Sequence, residues 1–298
     1  VPVLADLVLA GSLPVTLPAQ LPASLPAQLP LVAAKGVEAV TDPAGGIDVT
    51  VAMTELTTTL LASVRVAAFL VLAPPFAQKG VPGTVKVALA LGVALALRPR
   101  LEPLGDDGTA AFLLALVLQA VVGAALGFAV SLVFAAVQSA GALVDLLGGF
   151  QGAAAYDPLS ASLAGPIQRF YQLTAMTLLF VGDGYQLVLG GLVRSFDALP
   201  LDTGLDWART ASTLTDGLAQ MVVAAVQIAG PLVVVLFLAD VGLGLLTRVA
   251  PALNAFAMGF PLKVLLTLVV GSFAYLALPG VVEALTEDGL GLMGGIAP

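Results

Sequence analysis

From about Met53 the chain becomes a series of long apolar stretches separated by short polar ones. A membrane-spanning helix needs about 20 mostly apolar residues. The pattern predicts such helices over Leu56 to Ala77, Val81 to Leu97, Ala110 to Val137, Phe170 to Leu192, Gly217 to Leu246 and Pro261 to Leu278. Three are secured by runs without any charge: between Asp107 and Asp145, between Asp216 and Asp240, and between Lys263 and Glu283. The other three are short or carry an internal charge. The connections have turn chemistry. Arg98-Pro99-Arg100 followed by Gly105-Asp106-Asp107-Gly108 reads as a polar loop, and so does Pro200 to Asp216. The expected fold is all-α: about six long apolar helices arranged as membrane hairpins, some of them broken.

Residues 1–50 break this pattern. Leu-Pro recurs every four residues from Leu13-Pro14 to Leu29-Pro30. Each proline ring removes a donor and clashes with the preceding turn, so no α-helix is expected there. The reading is a Pro-rich, disordered N-terminal extension, followed by the helical region over 51–298.

Composition supports the membrane reading. Hydrophobic residues are 59% of the 298 and charged residues only 10%, where soluble domains carry about 25%. So few charges cannot cover a water-facing surface. With no His and no Cys, the His-based and thiol-based nucleophile pairs are absent, and no metal or cofactor site is visible. The net charge of −8 argues against nucleic acid as a partner.

Several ionisable residues stand in or beside apolar stretches: Arg65, Lys86, Asp145, Asp183, Asp240 and Lys263. A centred charge costs roughly 2.5–3.5 kcal/mol on insertion scales. Asp183, between Gly182 and Gly184, makes Phe170 to Leu192 a poor simple span, so a broken helix or one shielded by other subunits is expected. These residues form either a polar pathway or gate, or ion pairs between helices or subunits. Gly123-Ala-Ala-Leu-Gly127 reads as a close-packing seam. The segment Gly148-Gly149-Phe150-Gln151-Gly152 interrupts the apolar pattern with residues that permit positive φ.

Rival functions can be weighed on residues. Tyr156-Asp157 and Gly182-Asp183 loosely match the paired motifs of intramembrane aspartyl proteases, but Phe180 stands where a glycine is needed. Midplane carboxylates on broken helices also suit a small-molecule secondary transporter, although no internal repeat is present. An enzyme is not expected.

The stretch Gly242-Leu-Gly-Leu-Leu-Thr-Arg248-x-x-Pro251-x-x-Asn254-x-Phe256-x-x-Gly259-x-Pro261-Leu-Lys263 resembles the C-terminal signature of the FliR family of flagellar export-gate subunits. Arg65, Pro74, Pro82 and Lys86, the Gly-rich segment ending in Asp157-Pro158, and Ser195-Phe196-x-x-x-Pro200 resemble further blocks of that family in the same order. Ala252 departs from the family's Gln, and Tyr185 from its His. The resemblance covers about 55–285. It implies a subunit of the type III export gate of the bacterial inner membrane, at the flagellar basal body. Its implied partners are FliP-like and FliQ-like subunits, FlhB, FlhA and the basal-body ring, with unfolded export substrates passing through the centre and lipid around it. Injectisome gates contain a related subunit. Gly148, Gly149, Phe150, Gly152, Tyr156, Asp157 and Pro158 would then form a pore-plugging loop. Arg248, Pro251, Asn254, Phe256, Gly259, Pro261 and Lys263 would serve subunit assembly, and Arg65, Lys86, Asp183 and Asp240 are the polar intramembrane candidates.

Overall fold

A computed structural model describes residues 49–298 apart from 75, 79, 103–107, 151–163, 251–254 and 297–298, with backbone alone at 49–52 and 255–257. The Pro-rich extension lies outside the described residues except for its last two. The described residues form seven α-helices: α1 (Val49–Leu72), α2 (Gly83–Leu97), α3 (Gly108–Gly148), α4 (Pro166–Val181), α5 (Gly184–Ala198), α6 (Trp207–Val249) and α7 (Ala255–Ile296). A single 3₁₀ turn, Arg98–Arg100, follows α2. The chain is an all-α membrane protein. Met53–Leu72 within α1, α3, α6 and Met258–Ile296 within α7 are each long and apolar enough to cross a membrane.

One of the six predicted spans needs correction, and a second is broken, as its Asp183 predicts. Val81 to Leu97 becomes α2, which has only 15 residues, because Pro82 precedes it and Arg98-Pro99-Arg100 closes it. Phe170 to Leu192 is two helices, α4 and α5, bent by 75°. Asp183 causes the break, with a left-handed φ of 55° before the first turn of α5. Among the described residues, the four long helices and this bent pair therefore give at most five crossings by length and composition.

The other departures are extensions. Helices α3, α6 and α7 contain 41, 43 and 42 residues. At about 1.5 Å per residue each is roughly 60 Å long, twice the ~30 Å hydrocarbon core. Apolarity alone underestimates them because their ends carry charges and amides. Pro231, Pro261 and Pro279 lie inside helices, where neighbouring packing tolerates the lost donor.

Helix α3 is the centre of the fold. It packs on α1, α4, α6 and α7. Two-thirds (67%) of its most apolar window is covered by the rest of the chain, against 22% in α6 and 11% in α7. The core includes Leu61, Val66, Phe69, Leu126, Val130, Phe134 and Leu179. The α1–α3 seam is very close: a Cβ on Gly123 would overlap the Arg65 carbonyl, and one on Gly127 would lie 2.8 Å from the Phe69 oxygen. The glycine pair expected to serve packing thus lets two backbones touch. Helices α1 and α2 pack as a hairpin, and at its open end Arg98 pairs with Glu55.

Candidate functional site

The C-terminal end of α3 is built by glycine. Gly149 adopts φ +78°, and the Phe150 amide donates to the Asp145 carbonyl at 2.9 Å. This is a Schellman termination, in which a left-handed glycine lets the chain turn back onto the helix's open carbonyls. The turn lays the Phe150 ring against Gly148, where a Cβ would meet it at 2.7 Å. Phe150 also meets Phe260 of α7 edge-on, with centroids 6.4 Å apart and an interplanar angle of 62°. Two blocks that are 110 positions apart, the Gly-rich segment and the Gly259-Phe260-Pro261 part of the C-terminal stretch, thus touch.

Asp145 holds the other side of this segment. Its buried carboxylate accepts from the Ile167 amide at 3.1 Å and the Gln168 amide at 2.8 Å. Those are open donors in the first turn of α4, which begins with Pro166. One residue therefore fixes where the chain leaves α3, through its carbonyl, and where it enters α4, through its side chain. Gly152, Tyr156, Asp157 and Pro158 lie outside the described residues, as do Pro251 and Asn254 and the side chain of Phe256. Asp145 appears in the sequence as an anomalous charge, but its partners are backbone amides, which leave no sequence signal.

The polar intramembrane candidates separate into distinct places. Arg65 is fully buried. Its Nε donates to Gln119 Oε1 at 2.6 Å, Nη1 to the Ser195 carbonyl at 2.9 Å and Nη2 to the Leu199 carbonyl at 2.8 Å. Its guanidinium carbon lies 4.3 Å over the centre of the Phe196 ring. The Gln119 amide nitrogen donates in turn to the Leu201 carbonyl at 3.1 Å. The cation is satisfied by carbonyls at the C-terminal end of α5, the negative end of the helix dipole; that of Ser195 also accepts the Leu199 amide at 3.0 Å. The Arg65 block and the Ser195-Phe196-x-x-x-Pro200 block form a single latch that holds the bent α4–α5 pair to α1 and α3. Gln119 is an essential part of this latch, and a search for charges alone passes over it.

Lys263 Nζ lies 2.7 Å from Asp240 Oδ1, which ties α7 to α6. Of the two readings for these charges, this pair takes the structural one. Making Asp240→Lys or Lys263→Asp alone sets like charges together and is expected to lower the melting temperature. The double exchange should restore most of it. Because both groups are partly exposed, neutralising either one should cost only on the order of 1 kcal/mol. Additive losses in the double exchange would refute the pairing. Asp183 is exposed and accepts from Gln186 Nε2 at 3.1 Å. Lys86 is half-buried near the start of α2, and Arg248 is exposed in the last turn of α6. Neither is brought to the Arg65 latch.

This arrangement defines a class: a multi-spanning helical membrane protein built around one central helix, with two very long helices whose apolar faces its own chain leaves largely bare. The model of the family described as bacterial export proteins, family 1, matches residues 56–289. The chain belongs to that family and is a component of a bacterial export apparatus. It is 33% identical to the flagellar biosynthetic protein FliR of Escherichia coli over 70% of this chain and 78% of that protein. With the FliR of Bacillus subtilis the identity is 29%, over 69% of this chain and 81% of that protein. The Yop proteins translocation protein T of Yersinia pestis is 29% identical over 70% of this chain and 81% of that protein.

Proposed function

We propose that the chain is a non-enzymatic subunit of the flagellar type III export gate in the bacterial inner membrane, through which unfolded flagellar proteins are secreted. It assembles with FliP-like and FliQ-like subunits. FlhB, FlhA and the basal-body ring surround the gate. The observation that carries this reading is the continuous family match over 56–289, which includes both the Gly-rich segment and the C-terminal signature. The bare faces of α6 and α7 agree with it: Val226, Phe237, Leu238, Leu265, Leu268 and Phe273 are all at least half exposed. Side chains of that kind require lipid or neighbouring subunits. The identity with the Yersinia protein supports an injectisome gate as the second reading.

Within this role the segment from Gly148 to Pro158 is the plug. Asp145 holds the chain on either side of it, at the Phe150 amide and at the start of α4. Phe150 and Tyr156 provide the apolar bulk that excludes ions from a narrow pore, and the signature Arg248 to Lys263 serves subunit assembly. Replacing Phe150 and Tyr156 together with alanine is expected to raise ion leakage through the assembled gate, measured as conductance in planar bilayers. Unchanged conductance in a correctly assembled gate would refute the plug.

A further inference from the structure

A groove of about 600 Å³ opens between α6 and α7, with Leu132 and Val133 of α3 as its floor. Its walls run from Gly217 to Ile228 on α6 and from Val281 to Leu292 on α7. Eleven steps along each helix make it roughly 16 Å long, three turns of a helix. Its lining is mixed in an informative way. Val223 and Leu285 are apolar, but Gln220, Gln227 and Asp288 also face it. All three are exposed and make no hydrogen bond or ion pair with the described residues. Pro231 adds to this: it lacks the N–H that would bond the Gln227 carbonyl four residues back.

Neither lipid nor water suits such a surface. Two amides and a carboxylate facing hydrocarbon would have no partners. Facing water, the groove would leave its apolar walls uncovered, Ala219 and Val223 on one side and Ala284 and Leu285 on the other. A protein helix satisfies both demands. Charge sets its type. Asp288 lines the groove, Asp216 stands exposed one residue before its Gly217 end, and the nearby Arg209 is already used by the Gly295 carbonyl at 3.1 Å. The surroundings offer acceptors and negative charge.

We propose that this groove is the docking site for an apolar helix of another export-gate subunit, one that presents a Lys or Arg to Asp288 and hydrogen-bonding groups to Gln220 and Gln227. The inference rests on the export-gate reading and names which face of the chain a partner occupies and by what chemistry. The basic side chain lies at the level of Asp288, and the helix packs its small or branched residues over Leu132 and Val133.

The test uses the full assembly purified from cells that carry a photo-crosslinking residue in place of Gln227 or, separately, Ala284. The expected adduct joins each site to an apolar segment of another gate subunit, with a Lys or Arg within about one turn of the joined residue. Asp288→Lys is expected to reduce that adduct on the order of tenfold, since like charges then meet. Changing the partner's basic residue to Asp should restore it. If other membrane subunits co-purify but both sites give only lipid adducts, none, or adducts to a second copy of this chain, the docking site is refuted while the export-gate reading stands. An adduct unchanged by Asp288→Lys would refute the role of charge. If no membrane subunits co-purify at all, the underlying reading itself fails.

Discussion

Arg65→Ala is expected to destabilise the protein by several kcal/mol, the largest loss from any single substitution outside the helix seams. The reason is arithmetic on one side chain. The guanidinium occupies a fully buried position and supplies donors to three acceptors: Gln119, Ser195 and Leu199. Alanine leaves the Gln119 and Leu199 acceptors without donors in a place water does not reach, at about 1–3 kcal/mol for each group left open, while the Ser195 carbonyl keeps the Leu199 amide as its donor. It also leaves the volume of a long side chain unfilled beneath Phe196. Relief from burying a charge works in the other direction but is smaller, because the charge already sits at the negative end of α5. Lysine should not rescue the variant: one ammonium on a flexible stem cannot reproduce a planar fork that reaches two carbonyls and an amide. Methionine should lie between alanine and the parent, since it restores volume without donors. The measurement is the thermal midpoint of the detergent-purified protein. A midpoint within a degree or two of the parent's would mean that the latch carries no stability.

Gly123→Val is expected to have a comparable effect by a different route. A Cβ there falls on the backbone carbonyl of Arg65, and a backbone in mid-helix has no rotamer by which to move away. Helices α1 and α3 must separate along their seam, which forces strain of about 1–3 kcal/mol even for a modest overlap. Gly92→Ala on α2 is the internal comparison: nothing lies within 4 Å of a Cβ there. It should be neutral or slightly stabilising, because alanine is the better helix former. Because Gly123 presses on the same residue that holds α5, the Arg65 and Gly123 effects should add to less than their sum when combined. Equal midpoints for the Gly123 and Gly92 variants would contradict the close seam.

The fold was readable where the physics is local. Uncharged runs located the middles of α3, α6 and α7, and an aspartate between two glycines located the break between α4 and α5. The lengths were not readable. Helix α7 continues through Pro261 and Pro279 and past Glu283, Glu287 and Asp288 to Ile296, although each of these is a reason to stop in a purely local reading. Arg65 was visible as a misplaced charge, but two of its partners are carbonyls, which every residue has. Asp145 is the same case with amides. Glutamines were missed for another reason: Gln119, Gln220 and Gln227 carry no charge, so a scan for anomalous ions in apolar stretches does not see them. Gln119 nevertheless meets its hydrogen-bonding demand across helices, through Arg65 and the Leu201 carbonyl.

The blocks that carry the family resemblance turn out to be pairs in space. Arg65 meets the Ser195-Phe196-x-x-x-Pro200 turn, and the Gly-rich segment meets the C-terminal signature through Phe150 and Phe260. Spacing within each block can be read along the chain, but the partnership between blocks cannot. This pairing shows that the chain itself fixes the start of the Gly-rich segment and anchors the bent pair, while the outer faces of α6 and α7 stay uncovered by the described residues.

The central claim is that this chain functions as one subunit of a larger gate. The most direct measurement is purification of the tagged chain from its own cells in mild detergent, with every co-purifying protein identified. The account predicts a stable complex that contains FliP-like and FliQ-like membrane subunits. A clean monomer or homodimer that binds a small solute would contradict it and make a transporter the leading reading.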